Sequence, residues 1–119
     1  MIIKHLDECP PFLAGDKTEL RELLHAAKGA YAFRYSLAHA SLPPGARSVV
    51  HRLKTAEVYY ILNGSGCMHI DDETAPVRSG DAVYIPPQTR QWVENTGPEE
   101  LTFLCIVDPA WRVEDEEVL

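Results

Sequence analysis

The sequence predicts an all-β chain, a barrel or sandwich of short strands, and two observations carry that expectation. Turn signals recur throughout: Pro10-Pro11, Gly15-Asp16, Pro43-Pro44-Gly45, Asn63-Gly64-Ser65-Gly66, Asp71-Asp72, Gly80-Asp81, Pro86-Pro87 and Asn95-Thr96-Gly97-Pro98. Between them lie runs of about 5 to 8 residues rich in Val, Ile, Tyr and Phe, the pattern of short strands. Strands are expected near 2–6, 18–24, 32–41, 47–52, 56–62, 67–71, 75–78, 82–85, 90–95 and 101–108. One segment competes with this reading. In Thr18–Lys28, Leu20, Leu23, Leu24 and Ala27 stand at helical spacing behind a capping threonine. Its neighbours are strands, and Leu20 and Leu24 also suit a strand interrupted by a bulge, so 18–24 is assigned as strand.

The 119 residues fit a single domain, with an N-terminal strand arm (about 1–25) and an acidic C-terminal tail (about 109–119). With 45% hydrophobic and 24% charged residues, disorder and fibrous classes are excluded. No apolar run approaches the roughly 20 residues of a membrane span. Acids at Asp7 and Glu8 interrupt the start where an export signal would stay apolar. The net charge is −7, and Glu114, Asp115, Glu116 and Glu117 gather near the C-terminus as a solvated acidic tail. Bases never cluster, so a nucleic-acid footprint is absent. Cys9, Cys67 and Cys105 are odd in number and lack CxxC spacing. Neither a disulfide framework nor a thiolate zinc site is expected, and a reducing cytoplasm is the natural setting.

Alternation sorts side chains by face. In 56–62, Glu57, Tyr59 and Ile61 share one face, while Val58, Tyr60 and Leu62 share the other. Both faces are apolar, so this strand is expected to be covered twice, by the core and by a second sheet or subunit. In 67–71, Met68 and Ile70 oppose Cys67, His69 and Asp71.

Two glycine-framed stretches carry the chemistry. The first runs Gly45, five residues, His51-Arg52-Leu53, three residues, Glu57, six residues, Gly64. The second runs Gly80-Asp81, then Pro86-Pro87-Gln88, two residues, Gln91, three residues, Asn95. In order and spacing they resemble the paired motifs of the cupin superfamily, in particular the small single-domain conserved-barrel (cupin 2 type) proteins. The resemblance covers about residues 25–108. It implies a double-stranded β-helix, or jelly roll, with a pocket inside the barrel, and pairing into a homodimer.

The departures bear on function. At the four positions where a metal-bearing cupin offers His, His, Glu and His, this chain has His51, Leu53, Glu57 and Gln91. Leucine cannot ligate, and a glutamine carbonyl is a weaker donor than imidazole toward transition metals. His51, Glu57 and Gln91 are therefore the candidate metal ligands, for one weakly held divalent transition metal. His51 and Glu57 are also the candidate catalytic pair, able to exchange a proton without any metal. A third reading, a buried structural pair, stays open. Gln91 can bind a ligand carbonyl or hydroxyl directly. Leu53, Tyr59 and Met68 are expected on the pocket wall, and the resemblance adds Phe103 and Cys105. Cys105 reads as a small buried hydrophobe rather than a reactive thiol. Arg47 and Arg90 are expected near the barrel mouth, and Trp92 outside the pocket. The leading function is binding of a small polar or carboxylate-bearing metabolite, and the alternative is a metal-dependent isomerase, lyase or dioxygenase.

Overall fold

The computed structural model describes residues 1–119. Its strands are β1 (Pro11–Leu13), β2 (Glu19–His25), β3 (Ser36–Leu42), β4 (His51–Leu53), β5 (Ala56–Asn63), β6 (Ser65–Ile70), β7 (Glu73–Arg78), β8 (Ala82–Ile85), β9 (Gln91–Asn95), β10 (Leu101–Asp108) and β11 (Glu116–Val118). They form two antiparallel sheets, ordered β1-β2-β3-β10-β5-β8 and β11-β4-β9-β6-β7. Apolar side chains of both sheets meet in one core: Leu42, Ile61, Ile85, Leu101 and Phe103 from the first, Met68, Val77 and Val93 from the second. The chain is all-β, as the turn spacing predicts, and its two sheets form the jelly roll that the resemblance implies.

Alternation decides which residues reach the interior. On β5, Glu57, Tyr59 and Ile61 are buried, while Tyr60 and Leu62 are exposed on the outer face. The second cover expected for this strand is therefore not supplied by the chain itself. On β10, Leu101, Phe103, Cys105 and Val107 point inward between β3 and β5.

The ambiguous segment is a strand. β2 pairs with β3, and the register shifts between Glu22 and Leu24 as a bulge. The free edge of β3 supplies a ladder of hydrogen bonds, and that tertiary pairing overrides the helical spacing of the leucines. Elsewhere the expected boundaries need correction. Residues 2–6 form no strand; Leu6–Glu8 is a short 3-10 turn in which His5 Nδ1 accepts from the Asp7 amide at 3.2 Å. The strand of the N-terminal arm lies instead at Pro11–Leu13, on the sheet edge, where a proline's missing N–H leaves no ladder bond unmade. The expected 47–52 strand shortens to His51–Leu53, preceded by a single bridge between Arg47 and Glu94.

The C-terminal acids do not trail into solvent as a free tail. Asp115 is buried and accepts two bonds from the Arg112 guanidinium, at 2.8 and 2.9 Å. Trp111 Nε1 donates to Glu116 Oε2 at 2.6 Å, and β11 then pairs with β4, Glu116 opposite Leu53. Arg52 adds a two-pronged contact to Glu117.

Two turn positions show why the motif spacing matters. Gly64, between β5 and β6, has φ +87°, and a Cβ there would stand 2.7 Å from the Glu100 carbonyl oxygen. Gln88 occupies the place where the second motif carries glycine, and it adopts φ +65°. Its amide donates to the Leu53 carbonyl at 2.7 Å, which ties this turn to β4. A side chain in the left-handed region costs about 1–2 kcal/mol, against the roughly 0.5–1 kcal/mol that glycine loses in the unfolded chain. Gln88→Gly is thus expected to raise unfolding stability by about 0.5–1 kcal/mol, and Gln88→Val to lower it. Chemical denaturation of both variants checks this, and a stabilised valine variant would contradict it.

Candidate functional site

The start of β4 and the first half of β5 set two polar side chains against the barrel interior. His51 is buried, and its Nδ1 lies 2.9 Å from the Val49 carbonyl oxygen. A carbonyl only accepts, so Nδ1 carries the proton and Nε2 is left for other partners. Nε2 stands 3.7 Å from Asp16 Oδ2. Asp16 comes from the β1–β2 loop, held there by Thr18, whose amide and hydroxyl both donate to Oδ1, at 3.1 and 2.7 Å.

Glu57 is buried, and its Oε1 has no hydrogen-bond partner. Burial raises its pKa from 4.5 to about 8; the Gln91 amide pulls the other way, and the charges of Asp16 and Glu116 add to the rise. The carboxyl is therefore protonated at neutral pH, a hydrogen-bond donor rather than an anion.

These groups open on a cavity of about 300 Å³ that is partly open to solvent. His51, Leu53, Glu57, Tyr59, Phe103 and Cys105 all line it. The Tyr59 ring packs on Phe103 with centroids 4.5 Å apart, and its hydroxyl donates to Gln91 Oε1 at 3.1 Å. Burial pushes the Cys105 thiol up, so it remains a thiol without nucleophilic character.

Four expected residues do not reach the cavity wall. Gln91 pairs with His51 across β4 and β9 but lies behind the wall, fully buried, its carbonyl oxygen engaged by Tyr59. Met68 packs in the core and faces a separate groove beside β7 and β8. Arg47 is not at the mouth; its guanidinium lies over the Trp92 ring, 5.1 Å from the centroid. Arg90 is likewise absent from the lining.

Sequence reasoning missed Asp16, Trp111 and Glu116, all of which line the cavity. Asp16 read as half of a turn, and Glu116 as one acid in a solvated run. Only the docking of both chain ends beside β4 turns them inward. With Glu22 they bring the lining acids to four; no lysine or arginine lines the cavity, and Glu22 alone is paired with one, Lys28, at 2.8 Å.

The four metal positions of the resemblance do not make a closed site here. Leu53 presents a methyl-bearing wall, and Gln91 is spent on Tyr59, leaving His51 Nε2 and Glu57 as donors. A protonated carboxyl must also lose its proton before it can ligate. That set falls short of a two-histidine, one-carboxylate face.

A family model described as "Cupin domain" matches residues 38–107. The chain belongs to the cupin family. The match spans β3 to β10 and includes both glycine-framed motifs, while the cupin's β1, β2 and β11 lie outside it. This cupin is 40% identical over 116 residues to an uncharacterized protein of Methanocaldococcus jannaschii, covering 95% of this chain and 90% of that one. It is 34% identical over 71 residues to an oxalate-binding protein of Thermotoga maritima, 59% of each chain. The crystal structure of a predicted oxalate decarboxylase, also from Thermotoga maritima, superposes with a TM-score of 0.79 at 26% identity, covering 89% of this cupin and 97% of that chain.

Proposed function

We propose that this cupin binds a small polar metabolite inside the barrel, with Glu57 as donor and His51 as acceptor toward it. The observation that carries the reading is the unpartnered Oε1 of Glu57, buried on the wall of the barrel cavity. A buried polar atom without a partner costs about 1–3 kcal/mol, and a guest oxygen would relieve it. The rest of the wall is largely apolar, so the guest pairs a polar end with an apolar body.

Of the two guest classes expected from sequence, the uncharged polar one fits better than the carboxylate-bearing one. Relatives named for oxalate support a carboxylate. Against it stand Asp16 and Glu116, on a wall whose sole basic side chain is His51; Glu22 is offset by its pairing with Lys28. A dianion in that field would need a cation to accompany it. Thermal-shift and calorimetric titration with hydroxy- and carbonyl-bearing metabolites, with oxalate alongside, tests the choice. An uncharged guest is expected to bind to wild type and to Glu57→Gln, which keeps a donor. In Glu57→Leu its affinity is expected to fall about ten- to a hundredfold, the equivalent of one unmade buried hydrogen bond. Binding of oxalate by metal-free protein would overturn the assignment.

The second reading, an enzyme, rests on the same pair: a protonated carboxyl and an imidazole with a bare Nε2 in one cavity suit proton transfer. Isomerase or lyase chemistry would need that pair. A metal-dependent route, dioxygenase chemistry included, would need a divalent ion weakly held by His51 and Glu57, and the depleted donor set does not favour it.

Assembly and setting belong to the same proposal. Tyr60, Leu62 and Tyr84 are 44%, 40% and 62% exposed on the outer face of the six-stranded sheet. An apolar face of this kind fits a homodimer built by packing it against a second copy. Three free cysteines fit a reducing cytoplasm.

A further inference from the structure

We propose that the outer face of β6 and β9 carries a transition-metal site of the zinc class, held by Cys67, His69 and Glu94, outside the barrel and independent of its cavity. Met68 is buried in the core, so its neighbours Cys67 and His69 both project from the opposite face of β6. Glu94 is the direct cross-strand partner of Cys67 on β9. Strand alternation and register thereby place a sulfur, an imidazole nitrogen and a carboxylate oxygen within 4.8 Å of one another. All three residues are partly buried, which limits competition from bulk water.

The imidazole is held before any ion arrives. Its ring lies flat on Trp92, with centroids 3.5 Å apart and planes 3° from parallel. Nδ1 is 3.0 Å from the Thr74 hydroxyl, and Nε2 is 2.9 Å from Glu94 Oε1. Without metal, Nε2–H donates to Glu94 while the Thr74 hydroxyl donates to Nδ1. A hydroxyl can reverse its role. With the proton on Nδ1, the ring donates to Thr74 and Nε2 presents a bare lone pair, the outer-sphere pattern of a ligating histidine.

Side-chain adjustment alone is required, least of all between His69 and Glu94. Two ligands each about 2.0–2.1 Å from a tetrahedral ion stand about 3.3 Å apart. The His69–Glu94 separation of 2.9 Å would therefore open by a few tenths of an ångström. Coordination breaks the Cys67 S–H bond and releases that proton to solvent, while the imidazole proton only changes nitrogen. A thiolate and a carboxylate neutralise a divalent ion. Three protein donors leave a fourth position for water. The mixed sulfur and nitrogen set selects zinc or cobalt over magnesium or calcium. The Arg47 guanidinium above Trp92 opposes the cation and weakens the site without filling it.

The test uses full-length, tag-free protein stripped with a chelator and titrated with Zn²⁺ and, separately, Co²⁺. One equivalent is expected to bind, with a thiolate-to-cobalt charge-transfer band in the near ultraviolet. The band should vanish in Cys67→Ser, and affinity should fall at least tenfold in His69→Gln and Glu94→Gln. All of this should be unchanged in His51→Gln. Circular dichroism in chelator confirms that each variant is folded, and the glutamine variants carry the test if Cys67→Ser is not. Absence of the band in wild type, retention of stoichiometric binding in both glutamine variants, or its loss in His51→Gln would each overturn the proposal.

Discussion

Raising the pH from 5 to 8 is expected to cost this cupin on the order of 4 kcal/mol of stability that a Glu57→Gln variant keeps. Glu57 holds its proton up to about 8 in the fold, against 4.5 in the unfolded chain. Within that window the unfolded chain has released a proton that the native state retains. Unfolding therefore releases protons, and rising pH favours it: the contribution is fully present below 4.5 and lost as pH climbs through about 8. Burial of the charged form is the leading cause, and glutamine, which never ionises, removes the dependence. Groups remote from Glu57 titrate equally in both proteins, so the difference between them reports Glu57 together with the charges coupled to it, Asp16 and Glu116. Asp115, held below its usual 3.8 by Arg112, acts at still lower pH. Urea denaturation at pH 5, 6.5 and 8 reads the effect, and parallel curves for the two proteins would refute it.

Phe103→Ala is expected to cost about 3–5 kcal/mol. The side chain is 1% exposed on the central strand β10, between β3 and β5, against the ring of Tyr59. Truncation removes the apolar burial of an aromatic ring and its packing on Tyr59. It also leaves a void that merges with the existing cavity, so the surrounding strands have little to collapse onto. Calorimetric or denaturant unfolding measures the loss, which should be accompanied by weaker guest binding as Tyr59 loses its support. A loss below about 1 kcal/mol would mean that the wall relaxes into the space.

Much of the fold was legible because strand signals are local. Glu57, Tyr59 and Ile61 share a face by alternation alone, and the structure puts all three inside. Gly64 announces a position that only a residue without Cβ tolerates, and the Glu100 carbonyl beside it explains why. The bulged β2 was readable from two leucines, although its choice over a helix needed the edge of β3. The N-terminal ladder was misplaced by several residues because Pro10-Pro11 signals a turn, whereas an edge strand accommodates proline.

The site was less legible than the fold. His51 and Glu57 followed from spacing within one motif. That Gln91 would turn to Tyr59, and that Met68 would enter the core rather than the cavity wall, depends on packing between sheets. Asp16 and Glu116 lie one hundred residues apart and meet near His51 only because both chain ends dock beside β4. The Cys67, His69 and Glu94 cluster has the same origin: two residues of β6 gain their third partner from the register of β9.

By itself, then, the amino-acid order determined an all-β barrel, its family motifs, and one imidazole and one carboxyl aimed inward, since turn chemistry and strand alternation act over a few residues. The tertiary structure alone decided that the carboxyl is a buried, protonated donor, that acids from both termini surround it, and that the amide behind it is already engaged. Solvation and electrostatics depend on which distant groups share a small volume, and no short-range pattern encodes that.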